Sequence, residues 1–156
     1  MRQSGEALPV QDFGQLILER VAKATPIARR VKAIAAQDWP VAFSHVTEPA
    51  QALLVATLAR EVRRTLWILC PTVRAQEILY ESLLNWMPQA LFLPEAEFAA
   101  VENILPDPEI TAERLALFGR LTHSASQHLI VAARASLDQP APKIRALKSA
   151  ALRVKR

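Results

Sequence analysis

Glycine is scarce in this sequence: its 156 residues include three, Gly5, Gly14 and Gly119. A loop that holds the phosphates of a nucleotide needs glycines, because its backbone N–H groups must point inward at the anion in conformations that side chains obstruct. None of the three lies where a predicted strand turns into a helix. Nucleotide binding through a loop of the usual kind is therefore not expected.

Cysteine and long apolar runs are scarce as well. The single cysteine, Cys70, excludes an internal disulfide and a zinc site built from cysteines. His45, His123 and His128 are scattered among different predicted elements, so a metal site is not expected either. No apolar run is long enough to span a bilayer, and residues 1–14 lack the apolar core of a signal peptide. These features predict a cytoplasmic protein without a membrane partner.

Charge is distributed unevenly around a formal net charge of +4. The C-terminus is basic, and a basic tail can contact duplex DNA through its phosphates. The candidates for DNA contact are Lys143, Arg145, Lys148, Arg153, Lys155 and Arg156. A solvated helix face explains the same residues, because charge alone indicates only non-specific binding.

The rhythm of apolar residues changes near residue 39. Residues 1–38 predict an N-terminal extension made of a helical pair. In residues 39–156, apolar runs at 41–45, 66–70, 90–93 and 128–132 predict strands, and amphipathic helices separate them. This alternation predicts a doubly wound, mainly parallel α/β sheet with helices on both faces. The run at 66–70 is apolar throughout, so we expect it to be buried on both faces.

The turn after the first predicted strand lies where a phosphate loop would be found. Pro49 has no N–H to donate, and Glu48 places a negative charge where a triphosphate would sit. The turn therefore predicts a degenerate phosphate loop that binds no cofactor. It consists of Val46, Thr47, Glu48, Pro49, Ala50 and Gln51.

Arg114 falls within the apolar stripe of a helix that Asp107 is predicted to cap and Pro108 to begin. A charge in that stripe must extend to solvent or meet a carboxylate. The candidate partners are Glu95, Glu97 and Asp107. We expect an ion pair that holds the acidic loop on the helix; the alternative is a contact with another domain or a partner.

Catalytic patterns are weak. The acidic residues between 95 and 109 lack the pocket and partner group that general acid–base catalysis needs, and no Ser/His/Asp arrangement rises above chance. We therefore expect this chain not to be an enzyme.

The most specific pattern is "FLPEAEFAAVENILPDPEITAERLALFGRL" followed by "HLIVAARASLDQPAP". It resembles the N-terminal, UvrB-like module of the bacterial transcription-repair coupling factor (Mfd) and, more distantly, the first domain of UvrB. The shared pattern is a strand, an acidic loop, a proline helix start, and an apolar strand that leads into a small helix. Its positions here are Phe92-Leu93-Pro94, Asp107-Pro108, Ile110, Arg114-Leu115, Leu121, Leu129-Ile130-Val131 and Leu137-Asp138-Gln139-Pro140.

That resemblance implies a P-loop NTPase, helicase-like fold whose phosphate loop has decayed. It implies a non-catalytic scaffold module of a transcription-coupled nucleotide-excision repair factor, with other domains of the translocase or a UvrA-type protein as partners. The closing "AALRVKR" resembles the family's lead-in to the domain that contacts UvrA. We therefore expect a sheet that is incomplete at its C-terminal end, with an exposed apolar patch that makes the chain poorly soluble or causes it to self-associate. Phe98-Ala99-Ala100 departs from the aromatic residues that the family loop often carries, and the motor that moves on DNA is absent.

Two other interpretations stay open. The chain could be a small basic nucleic-acid-binding protein that uses its N-terminal helices and its Lys/Arg tail, and its affinity for duplex DNA would then fall steeply with salt. A weaker interpretation is an ATPase with an unrecognised site, for which ATP would stabilise the fold.

Overall fold

The computed structural model describes residues 10–96, 107–123 and 126–150, and side chains within 13–96, 107–122 and 126–147. Helices and strands alternate along most of this length. They are α1 (Val10–Lys23), α2 (Thr25–Ala35), α3 (Glu48–Val62), β1 (Leu66–Cys70), α4 (Val73–Leu84), β2 (Leu91–Leu93), α5 (Pro108–His123), β3 (Leu129–Ala133), α6 (Arg134–Leu137) and α7 (Ile144–Ala150).

The chain divides into two compact units. The first comprises Met1–Arg63 and Ser82–Pro88, and the second comprises Arg64–Glu81 and Gln89–Arg156. In the first unit α1, α2 and α3 contact one another in pairs, which confirms the predicted helical pair and adds a third helix to it. Arg60 of α3 joins α1 through a 2.7 Å ion pair with Glu19 and a 3.1 Å hydrogen bond to the side chain of Gln15.

The strand predicted at residues 41–45 is wrong. The Nε of Arg30 donates to the carbonyl oxygen of Ala42 at 2.6 Å, and its guanidinium lies 5.3 Å from the centre of the Phe43 ring. His45 has a φ of 61°, in the left-handed region that an extended strand does not use. The segment is irregular and forms no part of the sheet that the structure describes.

The second unit contains a small, wholly parallel sheet in the order β1-β3-β2. Leu66 pairs with Leu129 and Leu91 with Ile130, so both outer strands are paired with β3. Successive residues of a strand point to opposite faces, which separates the two crossover helices. On one face Tyr80 of α4 contacts Phe92, and on the other Leu117 of α5 packs against Leu93. The predicted α/β architecture with helices on both faces of a parallel sheet is confirmed at this level.

Strand β1 differs from its prediction in burial. Every residue of β3 is buried, whereas Trp67 is 45% and Leu69 57% exposed. These two side chains share a face with Ile130 and Ala132, their partners in the ladder. Leu117 packs on the β2 and β3 part of that face, and β1 lies at the edge of the sheet that the structure describes. The apolar composition of β1 therefore did not predict its burial correctly, because one face of the strand is exposed.

The start of α5 is confirmed. The Oδ1 of Asp107 accepts a 2.8 Å hydrogen bond from the N–H of Glu109, and Pro108 is the first helical residue. The small helix before the C-terminal prolines is also confirmed as α6, while α7 was not predicted. Residues 151–156 of the closing "AALRVKR" and the loop residues 98–100 lie outside the described residues. Within the part that is described, no helix combines the length and apolarity needed to cross a membrane.

Candidate functional site

The carboxyl ends of the strands are where open parallel α/β sheets bind ligands. In the second unit, four polar side chains converge on the chain that leaves β2 and β3. We call them the carboxyl-edge cluster. They are Gln76 of α4, Arg114 of α5, Ser136 of α6 and Gln139 just after α6.

Arg114 is the charged member of this cluster and is only 6% exposed. Its Nη1 donates to the carbonyl oxygen of Pro94, and its Nη2 lies 3.4 Å from that of Ser136. The guanidinium carbon is 5.7 Å from the centre of the Phe118 ring. Burial disfavours the charged form, so it lowers the pKa of the Arg114 guanidinium below its ordinary value.

The prediction that Glu95 or Asp107 pairs with Arg114 is wrong. The guanidinium hydrogen bonds go to backbone carbonyls, and Glu95 and Asp107 do not pair with it. Glu97 lies outside the described residues. Arg114 nevertheless fastens the start of the acidic loop to α5, through the backbone of Pro94 rather than through a side chain.

Gln139 holds the same loop from the other side. Its Nε2 donates to the carbonyl oxygen of Ala96 at 2.7 Å, and its Oε1 accepts from the N–H of Ala96 at 2.8 Å. Both backbone groups of Ala96 are thereby satisfied by one amide, as a strand neighbour would satisfy them. The glutamine of the Leu137-Asp138-Gln139-Pro140 pattern thus has a defined structural task.

Gln76 was missed by the sequence analysis. It is fully buried, and its Nε2 donates to the carbonyl oxygens of Leu93 at 2.8 Å and Val131 at 2.9 Å. Ile78 of the same helix is apolar and yet 41% exposed. Gln76 lies three residues from both Val73 and Leu79, a polar residue within an apolar stripe. That signal is the one that identified Arg114.

The side chains of the cluster act as a clamp, because they hold the backbone that follows β2 and β3 in place. Its amide and guanidinium donors are bonded to the chain's own carbonyls. The Oε1 of Gln76 and the Oγ of Ser136 are buried and have no hydrogen-bond partner among the described residues. Cys70 ends β1, is buried, and has its pKa raised by that burial, which keeps the thiol protonated. No group of three His, Cys, Asp or Glu side chains in the described part of the chain is placed to hold a metal ion.

Residues 46–51, the predicted degenerate phosphate loop, belong to the first unit. Helix α3 begins at Glu48 with Thr47 as its N-cap residue, but the threonine side chain makes no cap hydrogen bond. Pro49 has no N–H, and the N–H of Ala50 is bonded to the carbonyl oxygen of Thr47 at 2.9 Å. Few N–H groups at this helix start are therefore available to bind an anion.

The basic residues of the C-terminus are only partly described. Lys143 and Arg145 are exposed, beside and within α7, which contacts α5. The side chains of Lys148, Arg153, Lys155 and Arg156 lie outside the described side chains.

Comparison with known proteins adds no family. No model of a protein family matches the chain, and neither does any curated protein or any solved structure. The resemblance to the UvrB-like module stays an interpretation of the sequence, and function has to be argued from the geometry.

Proposed function

We propose that this chain is a non-catalytic interaction module of a factor for transcription-coupled nucleotide-excision DNA repair. It has a helicase-like fold with a decayed nucleotide site and does not itself bind ATP. It works in the cytoplasm by binding other domains of a repair translocase or a UvrA-type protein.

The clamped carboxyl edge supports this proposal. A nucleotide-binding α/β sheet leaves that edge open, with free N–H groups from glycine-rich turns. Here Arg114 and Gln139 bond the backbone of Pro94 and Ala96, so the chain's own loop lies at the edge where a nucleotide would bind. The helix start at Glu48–Pro49 offers a carboxylate and a residue without an N–H instead of a phosphate cradle.

Two binding measurements test the proposal. Thermal unfolding with MgATP should leave the Tm unchanged, because a ligand stabilises a fold only by its affinity for the folded state. Titration of the labelled chain with a purified UvrA-type protein should give saturable binding. A Tm that rises with MgATP would refute the first part, and an absence of binding would refute the partner.

A second function, contact with duplex DNA, is favoured by the exposed Lys143 and Arg145. Replacing both with glutamine should lower the slope of log affinity against log salt by about 2, since each phosphate contact contributes about 0.9. The control is Arg134→Gln, because that side chain is 80% exposed on α6 and its replacement removes one positive charge elsewhere. Equal slopes for the wild type and the double variant would exclude contact through these residues.

A further inference from the structure

A groove lies in the second unit beside strand β2. It has a volume of about 490 Å³ and is lined by Glu77, Tyr80 and Glu81 of α4, by Ala90, Leu91 and Phe92, and by Glu113, Ala116, Leu117 and Arg120 of α5. The two helices cover opposite faces of the sheet, since the Tyr80 ring meets Phe92 at 5.0 Å while Leu117 packs on Leu93. A space lined by both helices must therefore lie beyond the edge of the sheet.

That edge is the free side of β2. The strand pairs with β3, and among the described residues it has no neighbour on its other side. An unpaired edge presents backbone N–H and C=O groups to any extended chain that approaches it. Adding a peptide strand to such an edge is a recurrent mode of recognition, in which backbone bonds give affinity and alternate side chains give specificity.

Charge decides which peptide fits. The groove carries three carboxylates against one guanidinium, that of Arg120. Glu77 and Glu113 are exposed, and neither forms an ion pair within the described part of the chain. A surface of this sign attracts lysine and arginine and repels the phosphates of a nucleic acid.

The two walls differ in chemistry. The α4 wall presents the carboxylates of Glu77 and Glu81 and no basic group. The α5 wall presents the apolar side chains of Ala116 and Leu117 together with two opposite charges, those of Glu113 and Arg120. Side chains of an added strand alternate between these walls, because successive residues point to opposite faces. The matching segment is one in which basic and apolar residues alternate.

We propose that this groove binds an extended segment of a partner protein in which arginine or lysine alternates with apolar residues, added as a further strand beside β2. The inference deepens the proposed function as an interaction module and rests on it. It assigns the contact to one edge of the sheet and gives the partner segment a definite pattern.

The test is fluorescence anisotropy with the full chain and a labelled synthetic hexapeptide in which valine alternates with arginine. We expect saturable binding, and a loss of at least tenfold in affinity for the double variant Glu77→Lys, Glu113→Lys. The control is Glu61→Lys on α3, the same type of substitution at an exposed residue outside the groove lining, which should keep the wild-type affinity. Equal binding by the double variant would overturn the proposal.

Two further measurements separate specific pairing from charge attraction and from misfolding. A hexapeptide with three consecutive valines and three consecutive arginines has the same charge without the alternation, and it should bind at least several-fold more weakly. Ala116→Arg fills the groove from an exposed helix position, and it should abolish binding without unfolding the chain, as circular dichroism would verify. Equal affinity for both peptides, or binding retained by Ala116→Arg, would refute strand addition here. Saturable binding of a UvrA-type protein to the groove variants would refute the groove as the binding site and leave the proposed function as an interaction module intact.

Discussion

Replacing Arg114 with methionine is the most direct test of the clamp at the carboxyl edge. The change removes the donors to the carbonyl oxygens of Pro94 and Ser136 and the contact with the Phe118 ring, while keeping an apolar side chain of similar length. Each buried acceptor left without a donor costs about 1–3 kcal/mol, and the lost contact with the ring costs about 0.5–1 kcal/mol. Relief from burying a charge offsets part of this sum. We expect the free energy of unfolding to fall by about 2–4 kcal/mol.

The assay is urea unfolding of the wild type, Arg114→Met, Glu95→Gln and the double variant. Because the guanidinium bonds carbonyls, Arg114 and Glu95 should couple by less than about 0.5 kcal/mol, as residues without a shared interaction do. The cost of Arg114→Met should also stay constant from about pH 7 to about pH 4, where carboxylates titrate but carbonyls do not.

An ion pair gives the opposite result on both counts. It predicts a coupling energy above about 1 kcal/mol and a cost of Arg114→Met that declines as the carboxylate is protonated. Either outcome would refute the assignment of Arg114 to backbone carbonyls.

Three other predictions follow from single contacts. Gln76→Leu should lower the free energy of unfolding by about 2–4 kcal/mol in urea, because two buried strand carbonyls lose their donor; an unchanged midpoint would show that these bonds contribute nothing. Arg63→Gly should stabilise by about 0.5–1 kcal/mol in the same assay, because Arg63 ends α3 with a φ of 50° that glycine adopts without strain; Arg64→Gly, without a positive φ, is the control that should give no gain. Arg60 lowers the pKa of Glu19 below the ordinary 4.5, so the stabilisation from that pair is present above 4.5 and is lost as pH falls through the folded pKa. The Tm difference between the wild type and Glu19→Gln should therefore vanish in acid, and a difference that persists there would contradict the ion pair.

The periodicity of apolar residues predicted most helices and strands, because the residues that repeat with that period are the ones that the fold buries. The stripe of α5 faces the sheet through Leu117, and the apolar run of β3 is buried on both faces as its composition indicates. The run at 41–45 has the same apolar character but is irregular, and Arg30 of the preceding helical pair bonds its Ala42 carbonyl. Short apolar runs do not reveal whether their backbone will be paired.

The sequence predicts that the Arg114 side chain points inward, but not which group it bonds. Helical spacing indicates that Arg114 points inward, but it does not say which group of a loop twenty residues earlier in the chain will meet the guanidinium. Gln76 carries the same signal on α4 and would have been found by applying that rule to uncharged polar residues. The exposure of Trp67 was not predictable, because it depends on how far α5 extends across the sheet.

The order β1-β3-β2 has a consequence for the nascent chain. Both outer strands pair only with β3 within the described sheet, and β3 is the last of the three to leave the ribosome. Thr65 and His128, which are hydrogen-bonded beside the first pair of the ladder, are 63 residues apart. Until β3 is translated, Leu66–Cys70 is an apolar segment without its partner, which is the state in which chains aggregate or are held by chaperones. The time needed to translate residues 71–133 therefore contributes to how long this protein is exposed to aggregation.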